Sequence, residues 1–301
     1  MVDHLNRVMF PASFQEIFSA WELAPEAVLC SGGTGFMRAG KSGTPDFPQT
    51  IISLDKMEEL KKISRTERYI EIGAAVKLNQ LAKRGKIVPE ALSLCLSQAA
   101  DVQVRNQATI GGNICLPSLS STNQSFGIPD VAIPMIALDA QYELRTAHAV
   151  RWISAARFSA AAQGEILTRI RIPLETWTFT WYKKFSNSTG STVFGNAASL
   201  ADDSNYGSAL FIMKSEKNIL ANLRVVCAGK TIFRDKSSEA MLLGKRLPLA
   251  RKDADAFADR WKSYLSGAGN SLDGAGENTQ EELSKIRVIN FINSILRHIS
   301  D

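Results

Sequence analysis

The sequence predicts an α+β protein of two domains, residues 1–174 and 175–301. Three observations carry this. A chain of 301 residues with 45% hydrophobic and 22% charged residues has material for more than one core. Strand-like and helix-like segments are mixed without strict alternation, which disfavours a doubly wound parallel sheet. Beyond Pro173 the pattern changes to consecutive strand-like runs followed by helical ones.

The elements follow in order. "FQEIFSAWEL" reads as a helix, with Ser13 as N-cap, Phe14, Ile17, Phe18 and Trp21 at helical spacing, and Pro25 beyond its end. "AVLCS" is a short buried strand running into "GGTG". After the loop "KSGTPDFPQ" comes a second strand, "TIISL". "MEELKKI" is a helical turn and "RYIEIGAAV" a third strand. "KLNQLAKRG" and "PEALSLCLSQAA" are helices. "ATIGGNIC" reads as a turn, followed by a Ser/Asn-rich loop, the apolar run "VAIPMIALDAQYELRT", a helix near "ISAARFSAA" and the strand "ILTRIRIP". In the second half, "TFTWYKKFS", "VFGNAASLA", "SALFIMK" and "ANLRVVCAGKTIFR" predict an antiparallel meander. "SEAMLLGK", "KDADAFADRWKSYLS" and "ELSKIRVINFINSILRHI" predict helices, the last with a core stripe of Leu283, Ile286, Ile289, Ile292, Ile295 and Leu296. "GAGNSLDGAGENTQ" is a polar loop.

Composition excludes several chemistries. The net charge of +5 is spread along the chain, and its densest runs, "KMEELKKISRTERY" and "LAKRGK", read as solvated faces rather than a nucleic-acid surface. The N-terminus lacks the long apolar core of a signal peptide, and no run approaches the ~18 apolar residues of a membrane span. Cys30, Cys95, Cys115 and Cys227 lie far apart, without the C-x-x-C spacing of zinc ribbons or iron–sulfur sites. They predict a reduced, cytoplasmic protein, in which the sequons at Asn123 and Asn187 are chance matches. His4, His148 and His298 have no triad-like or ligand-like neighbours. No nucleophile elbow, zincin or Walker motif is present. "SGGTGFMRAG" begins like a dinucleotide fingerprint, but Arg38 occupies the third glycine position and no helix can follow through "KSGTPDFP".

Two glycine loops remain, "LCSGGTGF" and "ATIGGNI". Consecutive glycines leave backbone amides able to point at an anion, and Thr34, Thr109 and Asn113 add short polar side chains. Alone, the two loops fit either a ligand cradle or a pair of tight turns.

The surrounding segments resemble the FAD-binding subunit of the molybdenum hydroxylases, the family of xanthine dehydrogenase, carbon monoxide dehydrogenase and aldehyde oxidase. "SGGTGF" is similar to the family's "AGGTDL", with Gly35 in place of the Asp. "TIISLDKMEEL", "YIEIGAAVKLNQL", "VRNQATIGGNI", "PMIALDAQYEL", "GEILTRIRIP" and "WYKKFS" resemble further family segments, in the same order and at nearly the same spacing. The motifs cover roughly residues 5–200.

The resemblance implies a two-subdomain FAD-binding fold of the vanillyl-alcohol-oxidase (PCMH) type, followed by a small α+β C-terminal flavoprotein domain with a three-stranded antiparallel sheet. It implies FAD diphosphate binding by Leu29, Cys30, Ser31, Gly32, Gly33, Thr34, Gly35 and Phe36 in the first loop. In the second it implies Thr109, Ile110, Gly111, Gly112 and Asn113. Leu167 matches a position beside the flavin ring, and Lys183 a lysine at the flavin end, with Lys184 adjacent. The family Asp after the second loop falls on Asp130 when counted back from "ALDA", which requires an inserted loop, and on Thr122 when counted forward from Asn113. The family places the molybdenum cofactor on a large partner subunit and [2Fe–2S] clusters on a small one, and passes electrons through FAD to NAD or another acceptor. No catalytic side chain is expected on this chain. The alternatives are a stand-alone FAD oxidoreductase of the same fold and a degenerate assembly subunit without FAD.

Overall fold

The computed structural model describes residues 7–38, 47–116, 128–185, 207–229, 231–267 and 278–300. The loop between Leu116 and Asp130, the strand-like "VFGNAASLA", both sequons and most of "GAGNSLDGAGENTQ" therefore lie wholly or largely outside the described residues. The chain divides into two compact units, Met1–Leu174 and Glu175–Asp301.

The first unit contains two sheets. Strands β1 (Arg7–Met9), β2 (Val28–Cys30) and β3 (Thr50–Ser53) form a parallel sheet in the order β1-β3-β2. Helix α1 (Phe14–Leu23) makes the crossover between β1 and β2. Its start is fixed reciprocally: Ser13 Oγ accepts from the Glu16 amide at 3.3 Å, and Glu16 reaches back to the Ala12 amide at 2.9 Å. Ile17 and Ala20 of α1 bury against Ile52, Leu54, Met57 and Leu60, and that core continues to Ala75 and Ile166 at the second sheet.

The second sheet is antiparallel, ordered β4-β5-β8-β6-β7 from β4 (Ile63–Arg65), β5 (Tyr69–Gly73), β6 (Gln141–Arg145), β7 (Val150–Ser154) and β8 (Ile166–Pro173). β8 is central. Its Ile170 and Ile172 are fully buried, while Arg169 and Arg171 alternate to the other face. There Glu71 holds both, Arg171 at 2.7 Å and Arg169 at 3.1 Å, and the Arg171 guanidinium lies over the Trp152 and Tyr69 rings. The helix expected near "ISAARFSAA" is not formed. Its first residues end β7, and only a single 3-10 turn, Ala155–Arg157, follows. Pairing of Ile153 with Tyr142 and of Ser154 with Gln141 holds the first two residues in the strand, and the Ala155 amide donates to the Ala140 carbonyl at 2.8 Å. Helices α3 (Leu78–Ala82), α4 (Glu90–Ala99), α5 (Val102–Gln107), α6 (Ile110–Ile114) and α7 (Ala132–Ala137) complete the unit together with α2 (Thr34–Arg38).

The second unit carries an antiparallel sheet ordered β12-β11-β10-β9, from β9 (Phe179–Lys184), β10 (Ser208–Glu216), β11 (Ile219–Ala228) and β12 (Ile232–Phe233). It has four strands among the described residues, because the two-residue β12 adds an edge to the three expected. Lys217 and Asn218, with φ of 50° and 60°, turn β10 into β11, as a tight hairpin requires. Helices α8 (Lys236–Leu242), α9 (Arg251–Gly267) and α10 (Asn278–Ser300) pack with the sheet, burying Phe211, Val225, Phe257, Trp261, Ile292 and Ile295 together. The α10 stripe needs one correction: Ile286 is 51% exposed, and Val288 and Ile299 are buried instead.

Candidate functional site

The first loop begins where β2 ends. Pairing with β3 sets Leu29 opposite Ile52 and Cys30 opposite Ser53. The chain then turns through Ser31, Gly32 and Gly33 into α2. Gly33 has φ +70°, in the left-handed region that a side chain enters only at a cost of about 1 kcal/mol. The turn brings the Gly33 amide to the Cys30 sulfur. The amides of Thr34, Gly35 and Phe36 open α2 and have no partner within it. The first to bond back is Met37, to the Gly33 carbonyl at 3.3 Å. Residues Ser31 to Gly35 are half-buried, so this row of donors can be approached, whereas Phe36 is buried.

The second loop is a helix start, which corrects the expectation of a turn. Thr109 caps α6, its Oγ1 accepting from the Gly112 amide at 3.2 Å. The Ile110 amide donates to the Val76 carbonyl at 3.0 Å, Gly111 to Ala74 at 2.8 Å, and Asn113 to Thr109 at 2.9 Å. These donors are committed inside the fold. Gly112 is the exposed member of the pair and the point at which a ligand can come close to the backbone.

The fold brings the two loops together. A Cβ on Gly32 would overlap the Gln107 carbonyl oxygen and stand 3.0 Å from the Ala108 Cα. A Cβ on Gly111 would stand 2.6 Å from the Ala74 Cβ. Both glycines thus serve chain crossings, and the conformational freedom a ligand loop uses is at Gly33. The crossing is laced by the segment after β5. Lys77 bridges to Thr109, the Leu78 amide donates to the Ala108 carbonyl at 2.9 Å, and Lys77 Nζ donates to the Gln107 carbonyl at 2.9 Å. Ala74, Lys77 and Gln107 are absent from the residues expected from sequence. The small-residue run "GAA", which begins at the last residue of β5, is a signal for a close approach there.

The remaining expected residues fall in different places. Asn113 Oδ1 accepts from the Val131 amide at 3.3 Å, and Cys95 Sγ donates to the Asp130 carbonyl at 3.1 Å, so Asp130 is held near the end of α6. Thr122 lies outside the described residues. Leu167 is buried on β8 opposite Leu144. The carbonyl of the next residue, Thr168, accepts from Ala74 at 3.0 Å, which links β8 through Ala74 to Gly111. Lys183 belongs to the second unit, exposed on β9 opposite Ala209, and the half-buried Lys184 pairs with Ser208.

The electrostatics suit an anion and offer no nucleophile. Burial pushes the Cys30 thiol up, against the Gly33 amide that lowers it; Asp55 raises it and Lys77 lowers it. Burial pushes the Cys115 thiol up to about 12. Both are neutral thiols at pH 7. Among the described residues no three His, Cys, Asp or Glu side chains are grouped to hold a metal ion, and no helix is long and apolar enough to cross a membrane. Approachable amides at α2, an exposed Gly112 and a lysine at the crossing fit a dinucleotide diphosphate.

The chain resembles known proteins in fold and in sequence. The chain superposes on quinoline 2-oxidoreductase from Pseudomonas putida 86 with a TM-score of 0.74 and 18% identity, covering 98% of each chain. It matches a carbon monoxide dehydrogenase structure from Hydrogenophaga pseudoflava with a TM-score of 0.74 and 20% identity, over 99% of this chain and 98% of that one. The fold is thus the two-subdomain PCMH-type FAD-binding fold followed by a smaller α+β domain. In sequence it is 25% identical to the carbon monoxide dehydrogenase medium chain of Hydrogenophaga pseudoflava over 236 residues, 74% of this chain and 75% of that one. It is 33% identical to aldehyde oxidase 2 of Cavia porcellus over 189 residues, which are 56% of this chain and 13% of that protein's length. Residues 4–175 match the family model described as the FAD binding domain in molybdopterin dehydrogenase, and the chain belongs to that family of FAD-binding oxidoreductase subunits.

Proposed function

We propose that this chain is the electron-transfer subunit of a molybdenum hydroxylase, with residues 1–174 as its FAD-binding domain and 175–301 as its C-terminal flavoprotein domain. The observation that carries the reading is the direct packing of the first glycine loop on the residues leading into the second, at Gly32 and Gln107. Bound FAD supplies one- and two-electron exchange. The chain's own residues hold and orient it. In this reading the amides of Thr34, Gly35 and Phe36 that open α2 bind the diphosphate, with Ser31 and Gly32 beside them and the Gly112 backbone and Thr109 hydroxyl across the crossing. Asp130 bonds the cofactor beyond Asn113, and Leu167 lines the ring. In this reading the molybdenum cofactor and the [2Fe–2S] clusters are carried by two partner subunits in the cytoplasm; the four cysteines of this chain lie too far apart in sequence to offer the usual cluster spacing. A purine or similar carbon centre is hydroxylated on the large partner, and electrons leave this subunit for NAD or another acceptor.

The test is isolation of the chain from its native source. A yellow protein that releases FAD on heating and co-purifies with an iron–sulfur chain and a molybdenum chain supports the reading. A yellow protein isolated alone supports the stand-alone oxidoreductase. A colourless protein that cannot be reconstituted with FAD supports the assembly subunit.

A further inference from the structure

We propose that Lys77 is a further cofactor-binding residue, an ammonium set at the crossing of the two glycine loops to attract the FAD diphosphate and hold the crossing closed. The inference rests on the FAD reading above and names a residue that the motifs do not mark.

Lys77 occupies a position its local structure disfavours. It is the N-cap of α3, where Ser, Thr, Asp or Asn satisfy the exposed amides, and its side chain makes no capping bond. A cation at a helix N-terminus also opposes the helix dipole. A residue that breaks a local rule without a local gain points to a role elsewhere.

The side chain instead leaves α3 and reaches the Gln107 carbonyl at 2.9 Å. That carbonyl is the group against which Gly32 packs. The Lys77 backbone pairs with Thr109, the cap of α6. Its charge also acts on the Cys30 thiol at the end of β2, as does the Asp55 carboxylate. One ammonium is thereby tied to the entry of both loops. Only one of its three donors is used by Gln107. No carboxylate lies within ion-pair distance of it among the described residues. Lys77 is half-buried, so its charge is screened less than that of a fully exposed lysine. The other groups assigned to the diphosphate are neutral amides and a hydroxyl, which leaves Lys77 as the formal positive charge beside two negative phosphates.

The experiment is an equilibrium titration of the full apo chain with FAD across a series of NaCl concentrations, for wild type, Lys77→Met and Lys77→Arg. Thermal midpoints of the apo forms are measured in parallel. Lys77→Met keeps the apolar stem and removes the charge. It is expected to weaken FAD binding roughly tenfold at low salt, with the gap closing as salt rises, because a charge-assisted bond is lost and the remaining contacts are less salt-sensitive. Lys77→Arg is expected to stay within about twofold of wild type. Unchanged affinity in Lys77→Met would overturn the inference while leaving FAD binding by the loops intact. So would an equal, salt-independent loss in both variants with lowered midpoints, which marks a purely structural tether. A folded wild-type chain that takes up no FAD at any salt overturns the underlying reading itself.

Discussion

Gly32 packs directly onto the carbonyl of Gln107, so that the first glycine loop rests on the chain entering the second. Neither loop can shift without the other, and a ligand held by one is positioned by both. The obstacle to a side chain at Gly32 is backbone, which cannot swing aside as a flexible side chain could. Gly32→Ala is expected to destabilise the chain by about 3 kcal/mol, the upper part of the range for overpacking. Gly33→Ala meets only the Cys30 sulfur, at 3.8 Å, and carries mainly the backbone cost of about 1 kcal/mol. Urea unfolding of the two variants measures the difference, and equal midpoints would contradict the crossing.

Thr109 ties the start of α6 through its hydroxyl. Thr109→Val keeps the shape and removes the acceptor of the Gly112 amide. A loss of about 1 kcal/mol is expected, with recovery in Thr109→Ser. Denaturant unfolding checks the stability, and FAD titration of the same variants checks whether the cap also orients the cofactor.

In the second unit, Asp235 caps α8 and accepts from the Ser237 amide at 3.0 Å, from the Ser238 hydroxyl and from Arg260 at 3.2 Å. Burial opposes its ionisation, but these bonds win and hold the carboxyl at about 2, below the ordinary 3.8. The folded state therefore binds this proton less readily than the unfolded state. The stabilisation is complete above pH 3.8 and is lost as pH falls through about 2. Asp235→Ala is expected to cost about 1–2 kcal/mol at pH 7. The gap to wild type should shrink between pH 4 and pH 2 on the basis of the depressed carboxyl. A gap independent of pH over that window, in unfolding followed by circular dichroism, would contradict this.

The α10 stripe gives a paired comparison. Ile292 is 1% exposed in the core of the second unit, and Ile292→Ala should cost about 2–4 kcal/mol. Ile286 faces solvent, and Ile286→Ala should stay within about 0.5 kcal/mol of wild type. Both are read from denaturation midpoints.

How far the sequence reveals this molecule depends on where each signal resides. α1 is legible because its cap, its apolar spacing and its stop are all local, at Ser13, Ile17 and Pro25. "ISAARFSAA" is misread as a helix because its first two residues, Ile153 and Ser154, are drawn into β7 by pairing with β6, which the segment itself does not reveal. β1 and β4 escape notice as three-residue edge strands with no periodicity to read. Ile286 satisfies helical spacing, but the α10 face that meets the sheet runs through Val288 and Ile299. In the candidate site, the two loops are visible as glycine pairs, yet the reasons for the individual glycines are not. Gly32 and Gly111 answer to chain crossings with residues 75 and 37 positions away in sequence, at Gln107 and Ala74. Lys77 lies within "YIEIGAAVKLNQL" at a position the resemblance does not single out, and becomes visible only when Gln107 is seen beside it.

Flavin content and FAD affinity of the folded chain, in wild type and in Gly32→Ala, test the crossed glycine loops as the proposed FAD diphosphate site. One FAD per chain is expected in wild type, non-covalently held and released by heat, with a marked loss of affinity in Gly32→Ala measured under conditions where that variant is still folded. A folded wild-type chain without FAD that cannot be reconstituted, or a folded Gly32→Ala that binds FAD as tightly as wild type, would contradict it.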